Sequence, residues 1–261
     1  MSVHLLIIDP QVDFCDPERG TLCVAGADAD MERLAAFVGR HGDEIDAIHV
    51  TLDSHHFYDI AHPVFWQDGS GNHPDPFTTI TAEDIAVGRW LPVDDALGDR
   101  ALLYAQKLES GGRYALTVWP PHCLIGSPGH AVMPVLFNAL KAWESSGRFI
   151  NYVIKGLNPY TEHYSAIRAE VPDPLDPDTQ TNVSLLDKLS TADEIVVAGE
   201  ALSHCVANTV LDIVDTLGGA SRIVLLTDAA HSVPGFEDLG NQFVVELKTR
   251  GMQTVTTLDR R

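Results

Sequence analysis

The sequence predicts a doubly wound α/β domain, in which a mostly parallel six-stranded sheet carries helices on both faces and one long insertion interrupts the order. Three observations carry this reading. Short, continuously apolar runs rich in branched residues recur along the chain, as strands buried on both faces require. Longer stretches with apolar residues at helical spacing separate them. Several of the runs end on a residue able to do chemistry.

The first run, Val3-His4-Leu5-Leu6-Ile7-Ile8, ends at Asp9 and so places a carboxylate at a strand's carboxyl edge. Residues 29–43 follow with Met31, Leu34, Ala35 and Val38 at helical spacing, and 45–52 reads as a second strand ending at Asp53. The alternation resumes with a helix over 133–144, a strand over 149–154, a helix over 182–189 and a strand over 194–198. A helix over 204–217, a strand over 222–227, a helix over 236–248 and a strand over 253–258 complete it. Right-handed crossovers then put helices on both faces. Ligands of such sheets bind beyond the carboxyl ends of the strands, where Asp9, Asp53, Lys155 and Cys205 all fall.

Residues 63–118 break the pattern. They are rich in Gly, Pro, Asp and aromatics, show no periodic helix of ordinary length, and read as an insertion in a single domain spanning 1–261. Such an excursion is expected to be a lid over the site or a subunit contact.

Composition narrows the function. The chain has 261 residues, and 17 basic against 37 acidic ones give a net charge of −20, a field that repels phosphate backbones and anionic lipid. No nucleic-acid or membrane partner is expected, and no apolar run approaches the roughly 20 residues of a membrane span. Cys15, Cys23, Cys123 and Cys205 form no C-x-x-C pair and are too sparse for a disulfide scaffold, so a cytoplasmic location is expected. No dinucleotide fingerprint or Walker loop occurs, and Gly126-Ser127-Pro128-Gly129 is not a serine nucleophile elbow.

Cys205 stands at a predicted helix start, where unpaired N–H groups and the macrodipole favour a thiolate. Lys155 closes a strand, and a fixed cation there is expected to lower the pKa of both Asp9 and Cys205. Asp53 and His55 are alternate residues and converge only if the chain turns between them. Carboxylate with imidazole suits Zn, Mn or Fe.

Five segments together resemble one family. They are the strand leading into Asp9-Pro10-Gln11-Val12-Asp13-Phe14, then Asp53-Ser54-His55, Trp119-Pro120-Pro121-His122, Lys155-Gly156 with Tyr164-Ser165, and Gly199-Glu200-Ala201-Leu202-Ser203-His204-Cys205. In this order they resemble the isochorismatase-like cysteine hydrolase superfamily, in its nicotinamidase-type branch. The resemblance implies a catalytic triad of Asp9, Lys155 and Cys205, and an oxyanion hole from the N–H groups of Ala201 and Cys205 after a cis Glu200–Ala201 peptide. It implies one divalent metal per chain, zinc before manganese or iron, held by Asp53, His55 and His122, with His62 preferred to His56 as a further ligand. Phe14, Trp119 and Tyr164 are the implied pocket walls. His73, His130, His163 and His231 are read, with His56, as ordinary surface or hydrogen-bonding histidines.

The implied reaction is ammonia release from a small carboxamide, nicotinamide to nicotinate first. Ser203 stands where the family often has Asp, which keeps another amide, a ureido compound or a cyclic imide open, while the presence of Cys205 speaks against vinyl-ether hydrolysis. Two readings from other classes are a hydrolase whose metal-bound water attacks while Cys205 only packs, and a catalytically silent binding module. A homo-oligomer is expected.

Overall fold

A computed structural model describes residues 1–260. Six parallel strands form the main sheet: β1 Val3–Ile8, β2 Ala47–Asp53, β3 Asn151–Lys155, β4 Glu194–Gly199, β5 Ile223–Leu226 and β6 Gln253–Val255. Their order across the sheet is β6-β5-β4-β1-β2-β3. β1 is therefore central. Leu5, Leu6, Ile7 and Ile8 are wholly buried there beside Val196, Val197 and Ala198 of β4. Each such aliphatic side chain removed from water stabilises the fold by about 1.5–3 kcal/mol.

The order explains which helices share a face. From β1 the chain steps outward through α1 (Ala27–His41) to β2, and through α3 (Pro134–Glu144) to β3. It then reverses through α4 (Val183–Ser190) to β4, and continues through α5 (Ala207–Leu217) and α6 (Glu237–Thr249) to β5 and β6. With right-handed crossovers, α1 and α3 cover one face and α4, α5 and α6 the other. The observed packing of α1 on α3, and of α5 on α4 and α6, agrees. The winding reverses at β1, and the carboxyl ends of β1, β2, β3 and β4 line up beside that switch point.

The interrupting segment is more ordered than the sequence reading allowed. It contains the 14-residue helix α2, Gly98–Gly111, and two small two-stranded antiparallel pairs. Ala101, Tyr104, Ala105 and Leu108 of α2 pack with Phe65, Trp66, Ile80 and Leu116 in a hydrophobic cluster of their own. The expectation of no ordinary helix is thus corrected. The helical spacing of those four residues was present but lay beneath the flanking Gly, Pro and Asp, and neighbouring short strands supply the second side of the cluster.

Candidate active site

β1 ends at Asp9, whose backbone turns into the left-handed region at φ 42°. Its N–H donates to Thr51 Oγ1 at 2.9 Å, and the Thr51 hydroxyl donates back to Asp9 Oδ1 at 2.5 Å, so β2 fixes the carboxylate of β1. Lys155, last residue of β3, is 2% exposed and reaches Asp9 Oδ2 at 2.9 Å, Asp53 Oδ1 at 3.0 Å and the His163 carbonyl at 3.0 Å. Its Nζ also lies 3.6 Å from Cys205 Sγ. One ligand-type atom each of Asp9, Asp53 and Cys205 lie within 4.8 Å of one another. A buried ammonium shared by two carboxylates and a sulfur is a satisfied charge cluster, which a lone buried cation would not be.

Cys205 sits in a π-helical turn, Leu202–Val206, that leads into α5. The Glu200–Ala201 peptide before it is cis, as the resemblance implied. The flanking N–H groups of Glu200 and Leu202 donate to Ile8 and His231 carbonyls, whereas the Ala201 N–H finds no acceptor among the described residues. Gly199 is required at the end of β4, because its φ is 113° and a Cβ there would lie 2.0 Å from the Ile8 carbonyl oxygen.

The charge states differ from the sequence expectation. Burial pushes the Cys205 thiol well above its ordinary pKa, with Asp9 and Asp53 adding to the shift and Lys155 opposing it. Burial likewise raises Asp9 despite Lys155. Lys155 does lower both groups, but burial outweighs it; the lysine itself stays a firm cation, since Asp53 and Asp9 outweigh the burial that would lower it. Asp53 shifts the other way: burial would raise it, but Lys155 and His55 hold it well below the usual range.

Across the same floor lies a second cluster. β2 ends at Asp53, and the chain turns so that His55 pairs with Leu124 in an isolated bridge. One ligand-type atom each of Asp53, His55 and His122 lie within 4.8 Å of one another, and all three residues are buried. Each imidazole is held from behind. His55 Nδ1 bonds Asp59 Oδ2 at 3.0 Å, and His122 Nδ1 bonds the Pro120 carbonyl at 2.9 Å, which leaves Nε2 facing Asp53 Oδ2 at 3.1 and 3.7 Å. This backing by a carboxylate or carbonyl is how metal-binding histidines are commonly oriented. His62 is fully buried, bonds the Phe57 carbonyl through Nδ1 at 3.2 Å, and leaves Nε2 without a partner. Its ring packs 5.2 Å from His55 and 5.4 Å from His122, whereas His56 is exposed. The donor set and the orphaned nitrogen fit a divalent metal.

Beside the two clusters, which share Asp53, is a narrow cavity of about 30 Å³. Phe14, Trp119 and Tyr164 line it together with Cys205, Ala201, Asp53 and His122. Other contributors were missed. Glu162 lines it with Oε1 unpartnered, and burial raises its carboxyl to about 8. His204 lines it too, and Asp59 and Thr51 orient groups within it. Gln11 clamps the Asp53 peptide, accepting from its N–H at 2.7 Å and donating to its carbonyl at 2.8 Å. Asp13 accepts from the Cys123 N–H at 2.6 Å, fixing the loop after His122. Gln11 and Asp13 stood in the quoted motif, but only the folded chain shows what they hold. Of the histidines set aside, His163 is buried with an unpartnered Nε2, and its carbonyl supports Lys155.

No protein-family model and no curated protein matches the sequence. Solved structures do match, from end to end. The yeast nicotinamidase bound to the inhibitor nicotinaldehyde superposes with a TM-score of 0.68 at 20% identity, over 97% of this chain and 99% of that one. A nicotinamidase/pyrazinamidase from Acinetobacter baumanii gives 0.66 at 21% identity, over 99% and 97%. The pyrazinamidase of Pyrococcus horikoshii in complex with zinc gives 0.59 at 17% identity, over 98% and 99%. The chain has the fold of these enzymes, the isochorismatase-like fold.

Proposed function

We propose that this protein is a metal-dependent cysteine amidohydrolase that releases ammonia from a small aromatic carboxamide, nicotinamide first. One observation carries the reading: Cys205, with Lys155 and Asp9 beside it, and Asp53 and His122, with His55 beside them, meet in one small aromatic-walled cavity. The nicotinamidase fold of the solved neighbours supports it.

Cys205 Sγ attacks the amide carbon while Asp9 takes the thiol proton. A raised Asp9 pKa suits a base that must hold that proton and return it. Asp9 then hands it to the leaving nitrogen, and ammonia departs as the thioester forms. A water deprotonated by Asp9 cleaves the thioester and regenerates the thiol. Lys155 keeps a positive charge beside Asp9 and the sulfur throughout, and the Ala201 and Cys205 N–H groups are the proposed donors to the oxyanion. Asp53, His55 and His122, with His62 as a fourth, would hold the divalent ion, zinc being our first assignment; when bound it supplies a Lewis acid that orients the substrate ring. Phe14, Trp119 and Tyr164 exclude water around that ring.

The segment 63–118 is read as part of one domain and as a cover for the cavity, since Tyr114 and Tyr104 reach from it to the site's own residues. The homo-oligomer reading is supported by apolar side chains left exposed on and beside the edge strand β3, at Phe149, Tyr152 and Ile154. No helix among the described residues is long and apolar enough to cross a membrane, and the cytoplasm remains our proposed location.

A carboxamide panel read by ammonia release tests the reading, together with elemental analysis of the purified protein. Cys205→Ala is expected to fall to background with fold and metal content intact. Near-normal rates in that variant, abolished by chelation, would assign the attack to a metal-bound water instead.

A further inference from the structure

We propose that His204 is a specificity-determining residue whose Nε2–H, set in the cavity wall, selects aromatic carboxamides that carry a ring acceptor in addition to the one facing the metal cluster. The inference rests on the carboxamide reading of the same cavity and adds a demand on the substrate ring.

His204 is 3% exposed, lines the cavity beside Ala201 and Cys205, and is boxed by aromatic rings. Tyr114 stacks on it at 5.1 Å with 20° between planes, while Trp119, Tyr164 and Phe236 meet it edge-on at 5.4, 5.3 and 4.9 Å. The ring plane is thereby fixed. Burial alone lowers its pKa to about 4, so at neutral pH the imidazole is uncharged, with one nitrogen a donor and the other an acceptor.

Ser203 decides which is which. Its Oγ accepts the Val233 N–H at 3.1 Å and lies 2.8 Å from His204 Nδ1. The Ser203 hydroxyl has one proton, and among the described residues its only acceptor is that nitrogen. Donation from Ser203 makes Nδ1 the acceptor and puts the imidazole proton on Nε2. Nε2 makes no hydrogen bond among the described residues, yet it is not one of the fully buried unpartnered atoms, so it keeps some exposure in a residue that lines the cavity. A bound ring that covers this donor leaves it unpaired unless the ring supplies an acceptor, so one that offers a nitrogen or carbonyl oxygen there is favoured over one that offers C–H. A hydrogen bond of ordinary net strength is worth a preference of roughly 3- to 10-fold.

Four diazine carboxamides test this, each replacing one ring C–H of nicotinamide with nitrogen: pyrazine-2-, pyrimidine-5-, pyridazine-4- and pyridazine-3-carboxamide. For each, kcat/KM relative to nicotinamide is compared between wild type and His204→Phe, which keeps an aromatic ring in the box and removes the donor. Intrinsic reactivity cancels in that comparison. At least one diazine is expected to lose roughly 3- to 10-fold of its relative kcat/KM in the variant. Ser203→Ala, which keeps the ring but frees the tautomer, should lose part of the same preference. Calorimetric binding of the same ligands to Cys205→Ala, with and without His204→Phe, reads the preference without turnover. Relative values unchanged for all four diazines, or no binding preference that depends on His204, overturn the proposal. A preserved binding preference in a protein that hydrolyses no carboxamide upholds the role of His204 and removes only the amidase reading.

Discussion

At the scale of single residues, the site is governed by burial more than by local charge. Lys155 is close enough to Cys205 to favour a thiolate, yet burial, with Asp9 and Asp53 adding to it, pushes the thiol well above its ordinary pKa. The same balance makes His204 a probe of stability. Its native pKa is held near 4, below the unfolded value of about 6.5, so the unfolded chain takes up a proton that the folded chain refuses. The neutral ring's contribution is whole above about pH 6.5 and is lost as the pH falls from there to about 4. Between pH 7 and pH 5 the wild type should therefore lose about 2 kcal/mol more than His204→Phe, measured by urea unfolding at the two pH values. Parallel losses in both proteins would mean that the ring is protonated in the native state.

At the scale of elements, the ends of the strands matter more than their middles. Gly156 follows β3 with φ 85°, and a Cβ there would stand 2.8 Å from Asp53 Oδ1. Gly156→Ala is expected to push Asp53 off its place between Lys155 and the histidines, lowering metal content at a stability cost of about 1–3 kcal/mol. Gly199→Ala, which meets backbone rather than a side chain, should cost more than 3 kcal/mol and act on the whole sheet. Metal analysis and denaturation of both variants separate the two cases; equal metal loss with equal destabilisation would contradict the distinction.

What the sequence made legible follows the same division. The apolar runs and the spacing of Asp9, Asp53, Lys155 and Cys205 were readable because a buried parallel strand leaves a continuous pattern and ends abruptly. The six strands, their parallel pairing and the shared carboxyl edge are as that pattern predicted. Roles that depend on distant partners were not readable. Gln11 holds a peptide 42 residues away, and Tyr114 places its ring on His204 from across the chain. Nor did composition reveal how completely Cys205 would be buried, which outweighs Lys155 and reverses the expected direction of the Cys205 shift.

At the scale of the whole molecule, the two hydrophobic clusters raise the question of whether the chain opens as one unit or two. The main cluster fills both faces of the sheet, while the smaller one surrounds α2 and belongs to residues 60–118. Polar contacts fasten the smaller unit to α5 and the turn before it: Arg113 bonds Asn208 Oδ1 and Asp212 Oδ1, both at 3.2 Å, and the Tyr114 hydroxyl donates to the Ser203 carbonyl at 3.0 Å. Tyr104 adds a contact by accepting the Glu162 N–H at 3.1 Å. Such bonds contribute about 1 kcal/mol each and less where partly exposed, far below what holds the central strands. The smaller unit should therefore open while the sheet stays closed, and in opening it lifts Tyr114 from His204 and uncovers the cavity. Native-state hydrogen exchange in low denaturant is expected to show α2 amides exchanging at a lower free energy and a smaller denaturant dependence than those of β1 and β4. Weakening the fastening with Arg113→Ala should lower the α2 value further and leave β1 unchanged. If α2, β1 and β4 share one free energy and one denaturant dependence, the molecule opens only as a whole, and access to the cavity needs another route than the lifting of this segment.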